Sequence, residues 1–391
     1  MSGSLLLAWR YVVRHRVQSL LLALALGTVL GLPLAVRVLV QAAQDQLRAR
    51  AQTTPLVAGA PGSSTDLMLA ALHFRKGNGG ELKVGDCDLI RDTGLAEAIP
   101  LNVRFLAQGA PIVGTELDYF DFRGLKLAQG RMLTRLGDCV LGARVAKARG
   151  LQPGGSIFSS PEQVFDLAGV YPLKMRITGV FEPTGTPDDD AVFVDVKTTW
   201  LISGIAHGHD DLTRTTQPNA VLRKDGDTVV GSAAVRMFNE VTDANVDSFH
   251  FHGDEGSFPV QAILVQPHDA KSEALLVGRF QKDKSIQIIR PVDVLEVLLA
   301  ALFRVEKLVV AALALVAGAA IVVAVLVFGL SFRLRKREFD TLAEVGVSRG
   351  TLLMAQVAEI AIVGALALAV AAVGPWIAAA MAHAVVLKSL G

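Results

Sequence analysis

Two pairs of histidines are the most chemically pointed feature of the sequence. His207 and His209 flank one glycine and precede Asp210 and Asp211, and His250 and His252 flank Phe251, with Asp254 close behind. Residues two apart on an extended strand face the same side, so each pair could aim two imidazoles at one ion. With a carboxylate, that donor set suits Zn²⁺ or a similar divalent cation, and His268 with Asp269 could join it. Histidines in polar surface loops are the competing reading, and both stay open. An acidic run, Asp188-Asp189-Asp190, follows Pro183-Thr184-Gly185-Thr186-Pro187. It reads as a turn leading into a strand at Ala191, because adjacent carboxylates splay outward unless the backbone folds round an ion. Cys87 and Cys139 are the only cysteines, each after Gly-Asp. On the oxidising side of a membrane they could pair, and buried free thiols are the equal alternative.

A second constellation lies in RLRKREFDTLAEVGVSRGTLLMAQVAE, residues 333–359. Arg335, Lys336 and Arg337 form a cationic cluster. Glu338 and Leu342 stand four apart, on one face of a short helix. Gly346 offers a tight turn, and Ser348 can cap a helix opening at Gly350 and Thr351. Such a helix–turn–helix presents charges and one apolar residue to a partner. A helix docked in a groove of an ATPase is one reading, and a solvated loop whose cations only set membrane topology is the other.

The elements that position these groups begin with the membrane. The chain is 51% hydrophobic and 19% charged, with mean hydropathy +0.44, and the apolar excess sits in runs at 19–36, 308–332 and 352–373. Those runs predict an α-helical membrane protein with three spans. A fourth span is expected only if Gly374-Pro375 breaks the last run into a re-entrant pair. Arg10, Arg14 and Arg16 precede the first run, and Arg333, Arg335, Lys336 and Arg337 follow the second. Both cationic segments are therefore expected inside, with a large domain outside. No small-residue cleavage site closes the first run, so an uncleaved anchor is expected rather than a signal peptide.

The expected organisation is an amphipathic surface helix over 1–17, with Leu5, Ala8, Trp9, Val12 and Val13 on one face. The first span and a stalk follow over 18–52, then an extracytoplasmic α/β domain of two lobes over 53–290. A stalk and second span over 291–332 lead to the hairpin over 333–350 and to the third span and tail over 351–391. The stalks are read from apolar stripes that outlast the bilayer, Val38, Leu39, Ala42, Ala43, Leu47 and Ala51 in one and Val292, Leu295, Leu298, Leu299 and Leu302 in the other. In the outer domain, strands are expected at 111–113, 176–180, 191–196, 220–222, 248–252, 260–265 and 286–289, and helices at 143–149, 229–239 and 271–281.

A net charge of +1 and the lack of a basic, aromatic-laced stripe argue against nucleic acid. No phosphate-binding loop and no nucleophile elbow occurs. The chain is thus expected not to be an enzyme, and energy from nucleotide would come from another chain.

The hairpin, with Arg335, Lys336, Arg337, Glu338, Leu342, Gly346 and Ser348, resembles the segment after the second span of FtsX/MacB-like ABC transporter permeases, the type VII mechanotransmission family. Glu359 matches a glutamate common in that family's third span. Residues 130–157 and 175–200 are similar to its extracytoplasmic core signature. The resemblance implies a permease subunit without bound cofactor, using ATP through a separate ABC ATPase. It also implies a second permease copy as partner, with lipid, lipoprotein or peptide handled outside the membrane. Family members usually have four spans, so three is a departure. Two further readings stand beside it: a scaffold acting on an envelope or periplasmic protein, and a zinc-handling component using His207, His209, His250 and His252.

Overall fold

The computed structural model describes residues 3–77, 80–160, 172–208, 221–225, 228–231, 239–243, 245–251 and 253–389. The chain forms two compact units, one from Met1–Leu47 with Val297–Lys388 and one built mainly from Arg48–Glu296.

The first unit is helical. Its elements are a short N-terminal helix, Gly3–Arg14, then Arg16–Gln52, the later part of Pro291–Leu334, the short Lys336–Glu344 and Arg349–Ser389. Among the described residues three helices are long and apolar enough to cross a membrane: Arg16–Gln52, Pro291–Leu334 and Arg349–Ala380. The 44 residues of Pro291–Leu334 span roughly 66 Å at about 1.5 Å per residue. Its single proline is at the first position, where the missing N–H costs nothing. Leu308, Leu315 and Leu334 on it are more than 70% exposed, as fits a helix whose solvent is not water.

Helices Arg16–Gln52 and Arg349–Ser389 pack through small residues. Ala23, Ala367 and Ala371 are buried, as is Val363. A Cβ at Gly27 would lie 2.5 Å from Val370 Cβ, and one at Gly31 would lie 2.6 Å from the Ala371 carbonyl oxygen. The two backbones approach where only hydrogen fits, as in small-residue packing within membranes. The last helix runs through Gly374 and Pro375 without a break, so the re-entrant pair is not formed. Pro375 removes the N–H that Ala371 would otherwise bond, and this is the carbonyl that Gly31 faces.

The N-terminal helix covers only part of its apolar face. Ala8 and Val12 are buried, whereas Leu5, Trp9 and Val13 are exposed. These five residues share one arc of the helix, as successive residues turn by about 100°, and one edge of that arc is covered while the other is exposed.

The second unit is α/β. A four-stranded antiparallel sheet has the order Gln287–Ile289, Leu56–Gly59, Ala262–Pro267, Ala96–Leu101. A larger mixed sheet runs Asn239–Glu240, Leu173–Phe181, Asp138–Leu141, Val192–Asp195, Ala110–Thr115, Leu106–Ala107. Bridging Asn102 to Gly114 links the strand ends of the two. Each sheet has its own apolar core, with Leu56, Ile90 and Trp200 in one and Ile112, Leu141 and Met175 in the other. Cys87 lies in the first core and Cys139 in the second. Both are free thiols, which settles the disulfide question.

The strand Leu56–Gly59 begins four residues after helix Arg16–Gln52 ends, and Gln287–Ile289 stops just before helix Pro291–Leu334 begins. These two strands are antiparallel neighbours, with Val57 opposite Ile289. Helices form at Ala143–Arg149 and Ala270–Phe280, close to the expected bounds. The helix expected over 229–239 is corrected at its start. Thr228–Gly231 is a strand paired with Val221–Asp225, as its Thr-Val-Val run of β-branched residues favours, and 232–238 lie outside the described residues.

Candidate functional site

The hairpin is built as the sequence patterning required. Arg335 leaves helical geometry between Pro291–Leu334 and Lys336–Glu344. The short helix closes with Gly346 at φ 101°, where Gly346 N–H bonds Ala343 O and Val347 N–H bonds Leu342 O, at 3.0 and 3.1 Å. This double closure needs a left-handed residue, which glycine supplies without strain. Ser348 Oγ then accepts from Thr351 N–H at 3.2 Å and opens the last helix.

The site residues named from sequence fall into two groups. Lys336, Arg337, Glu338 and Ser348 are exposed, as is Gly346. Val345 at the tip is 79% exposed. Leu342 is half-buried and lines a groove against the N-terminal helix. Arg335 differs, because it turns inward. Its guanidinium donates to Glu359 at 2.8 Å, lies over the Tyr11 ring at 3.2 Å and faces Phe339 at 4.9 Å. One side chain thus joins the N-terminal helix, the hairpin helix and the last membrane helix. Glu359 is buried and is the anion of this pair, so Arg335 belongs to the anchor of the hairpin rather than to its outer face.

A second constellation escaped the sequence reading. Arg50, in the last turn of Arg16–Gln52, is buried and forks onto Asp188, with Nη1–Oδ2 at 2.6 Å and Nη2–Oδ1 at 3.0 Å. Tyr119 donates its hydroxyl to Asp188 at 2.5 Å and accepts from Arg50 at 3.0 Å. Burial alone would raise the Asp188 carboxyl, but the charge and hydrogen bonds of Arg50, with the Tyr119 hydroxyl, outweigh it and hold the group below its ordinary value. Burial, reinforced by the charge on Asp188, pushes the Tyr119 hydroxyl up. One signal was present in the sequence: Arg50 falls three residues after Leu47, on the apolar side of the amphipathic stretch, where an exposed charge is out of place.

His73 closes the helix Ser64–His73 beside this cluster. It is buried, and its Nδ1 has no hydrogen-bond partner. Burial, then the charges of Arg50, Arg75 and Arg123, push its imidazole down to about 4.

Each carboxylate of the acidic run has a partner within the protein. Asp188 is taken by Arg50 and Tyr119. Asp189 accepts from Thr184 and Gly185 backbone N–H groups, both at 2.8 Å, and Asp190 pairs with Arg144 at 2.7 Å. The histidine reading is only partly placed. His207 and His250 are opposite one another on paired strands Ala206–Gly208 and Phe249–Phe251, while His209 and His252 lie outside the described residues. Among the described residues no cluster of three metal-ligating groups occurs. Asp269 is an N-cap, accepting from Ser272 N–H at 2.6 Å.

Residues 19–246 match the model of the MacB-like periplasmic core domain, which is more than half of the 391 residues. No curated protein matches. Among solved structures, the periplasmic region of MacB from Actinobacillus actinomycetemcomitans is 16% identical, with TM-score 0.34, covering 63% of this chain and 92% of that one. The extracellular domain of the ABC-type transporter YknZ from Gram-positive bacteria is 12% identical, with TM-score 0.33, covering 60% and 99%. With its long apolar helices and its outer α/β unit, the chain belongs to the family of the MacB-like periplasmic core domain and is a MacB/FtsX-like ABC transporter permease.

Proposed function

We propose that this permease converts the ATP cycle of a separate ABC ATPase into movement of its outer domain, which exports or extracts lipid, lipoprotein or peptide. The observation that carries the reading is the pairing of Leu56–Gly59 with Gln287–Ile289. The strand that follows one long helix is hydrogen-bonded to the strand that precedes another, so displacement of either helix acts on the same sheet. Arg50 reinforces the first junction through Asp188. The exposed hairpin, with Lys336, Arg337, Glu338 and Val345 outward, is the surface offered to the ATPase, and Arg335 holds its base.

In this reading the N-terminus and the hairpin face the cytoplasm, because the cations cluster there, and Arg48–Glu296 lies outside. The chain carries no nucleotide chemistry of its own and takes ATP energy through its partner. Two copies pair, each with three spans. Reconstitution of the full chain with its ATPase in nanodiscs tests the proposal. ATP hydrolysis is expected to rise on adding substrate and to lose that response in Glu338→Lys/Val345→Asp. A permease that never binds the ATPase, or that binds equally well with both changes, would overturn it. Stimulation that requires an envelope protein would assign the chain instead to a scaffold.

A further inference from the structure

The N-terminal helix and the hairpin enclose a groove of about 240 Å³. Leu7, Leu342 and Leu352 line it with apolar surface, Arg10 and Arg14 are its exposed cations, and the carboxylates that also line it, Glu338 and Glu359, both face Arg335, at 3.7 and 2.8 Å. Arg335 is engaged by Glu359. Arg10 and Arg14 are exposed and form no ion pair among the described residues. They stand four apart, so their guanidiniums lie one above the other on the groove side of the helix. The same helix turns Leu5, Leu6, Trp9 and Val13 outward beside them.

Two free guanidiniums beside an apolar lining, flanked by exposed apolar side chains, match one ligand chemistry. Guanidinium forks hold phosphate oxygens. The outward leucines and valines suit acyl chains, and a tryptophan at the edge suits headgroup depth. We infer that this groove binds the phosphate headgroup of an anionic phospholipid from the leaflet in which the N-terminal helix lies. The inference rests on the membrane-embedded reading of the chain and not on its coupling to an ATPase. A zwitterionic lipid brings an ammonium that Arg10 and Arg14 repel, so the site selects for net negative charge. A lipid held there bridges the N-terminal helix to Leu342 of the hairpin.

Native mass spectrometry of the full chain, released from detergent after titration with phosphatidylglycerol or phosphatidylcholine, tests this. The unmodified protein is expected to retain phosphatidylglycerol about 30-fold better than phosphatidylcholine, from two cations near a lipid phosphate. Arg10→Gln/Arg14→Gln should reduce that preference to near unity. Arg16→Gln/Arg333→Gln, which removes the same charge away from the groove, should keep it. Equal retention of the two lipids by the unmodified protein overturns the inference. So does equal loss in both double variants, which would mark general surface attraction. Co-purification of the ATPase is scored on the same samples. Unchanged lipid preference with weakened ATPase binding in Arg10→Gln/Arg14→Gln would make the groove a protein-docking site instead.

Discussion

Arg50 and Asp188, 138 residues apart in the chain, meet as a buried forked ion pair, with Tyr119 bonded to both. The pair ties the last turn of a long helix to the short turn that opens the strand Val192–Asp195. A salt bridge of this kind gains little over a well-packed apolar pair, but removing one partner strands the other charge. Arg50→Ala is therefore expected to destabilise the outer unit by about 3–5 kcal/mol. Arg50→Met/Asp188→Leu should recover a large part of that loss. Denaturant unfolding of the purified chain, followed by Trp200 fluorescence, checks both.

His73 gives the stability a pH dependence. Its folded imidazole sits at about 4, below the ordinary value of about 6.5. As pH falls from about 6.5 towards 4, the unfolded chain takes up a proton that the native one refuses, so stability falls through that window. The full effect is on the order of 3 kcal/mol. His73→Gln should flatten the pH profile in that range, measured as unfolding midpoint against pH. A slope unchanged by the substitution would assign it to other groups.

The helix contact at Gly27 and Gly31 sets a third expectation. Gly31→Ala places a methyl against the Ala371 carbonyl and should cost about 1–3 kcal/mol through overpacking. The loss is read as a lower melting temperature in detergent. Gly318→Ala, on the helix Pro291–Leu334 where a Cβ meets nothing within 4 Å, is the matched control and should leave the midpoint unchanged.

Arg335 anchors the hairpin. Arg335→Gln leaves Glu359 buried without its cation and frees the helix Lys336–Glu344 from Tyr11. Tryptic cleavage after Lys336 and Arg337 should then speed up severalfold. Arg337→Gln, an exposed change, should leave the cleavage rate after Lys336 close to normal.

Cys87 and Cys139 should behave as inert thiols. Burial pushes Cys87 up to about 12 and raises Cys139 as well, so little thiolate is available near neutrality. Maleimide should label neither in the native protein and both after unfolding, with no prior reduction required.

Much of this architecture could be read from the chain itself, for local reasons. The apolar runs, the proline at position 291 and the Gly346–Ser348 turn act within a few residues, and periodicity or capping rules reach that far. Helix Ala270–Phe280 was visible in the same way. Arg335 and Glu359 were each noticed, but their union was not, because nothing in spacing shows that position 335 turns inward while its neighbours turn out. The Asp188-Asp189-Asp190 run was read as a turn, and it is one. Its pairing with Arg50 and Arg144 depends on a tertiary fold that brings distant segments together. Thr228–Gly231 departs from the expected helix because a mixed apolar run fits two periodicities, and β-branching favours the strand that forms.

Pro375 silences the donor that would answer Ala371, and Gly31 on the facing helix presents a backbone hydrogen to that same oxygen. A Cα–H···O contact there compensates in part for the missing bond. The two positions therefore meet at one carbonyl oxygen. Replacing Pro375 would restore an internal bond to that carbonyl, but a side chain at 31 would still meet the Ala371 backbone at 2.6–3.2 Å, so the glycine is held by space and not by the missing donor.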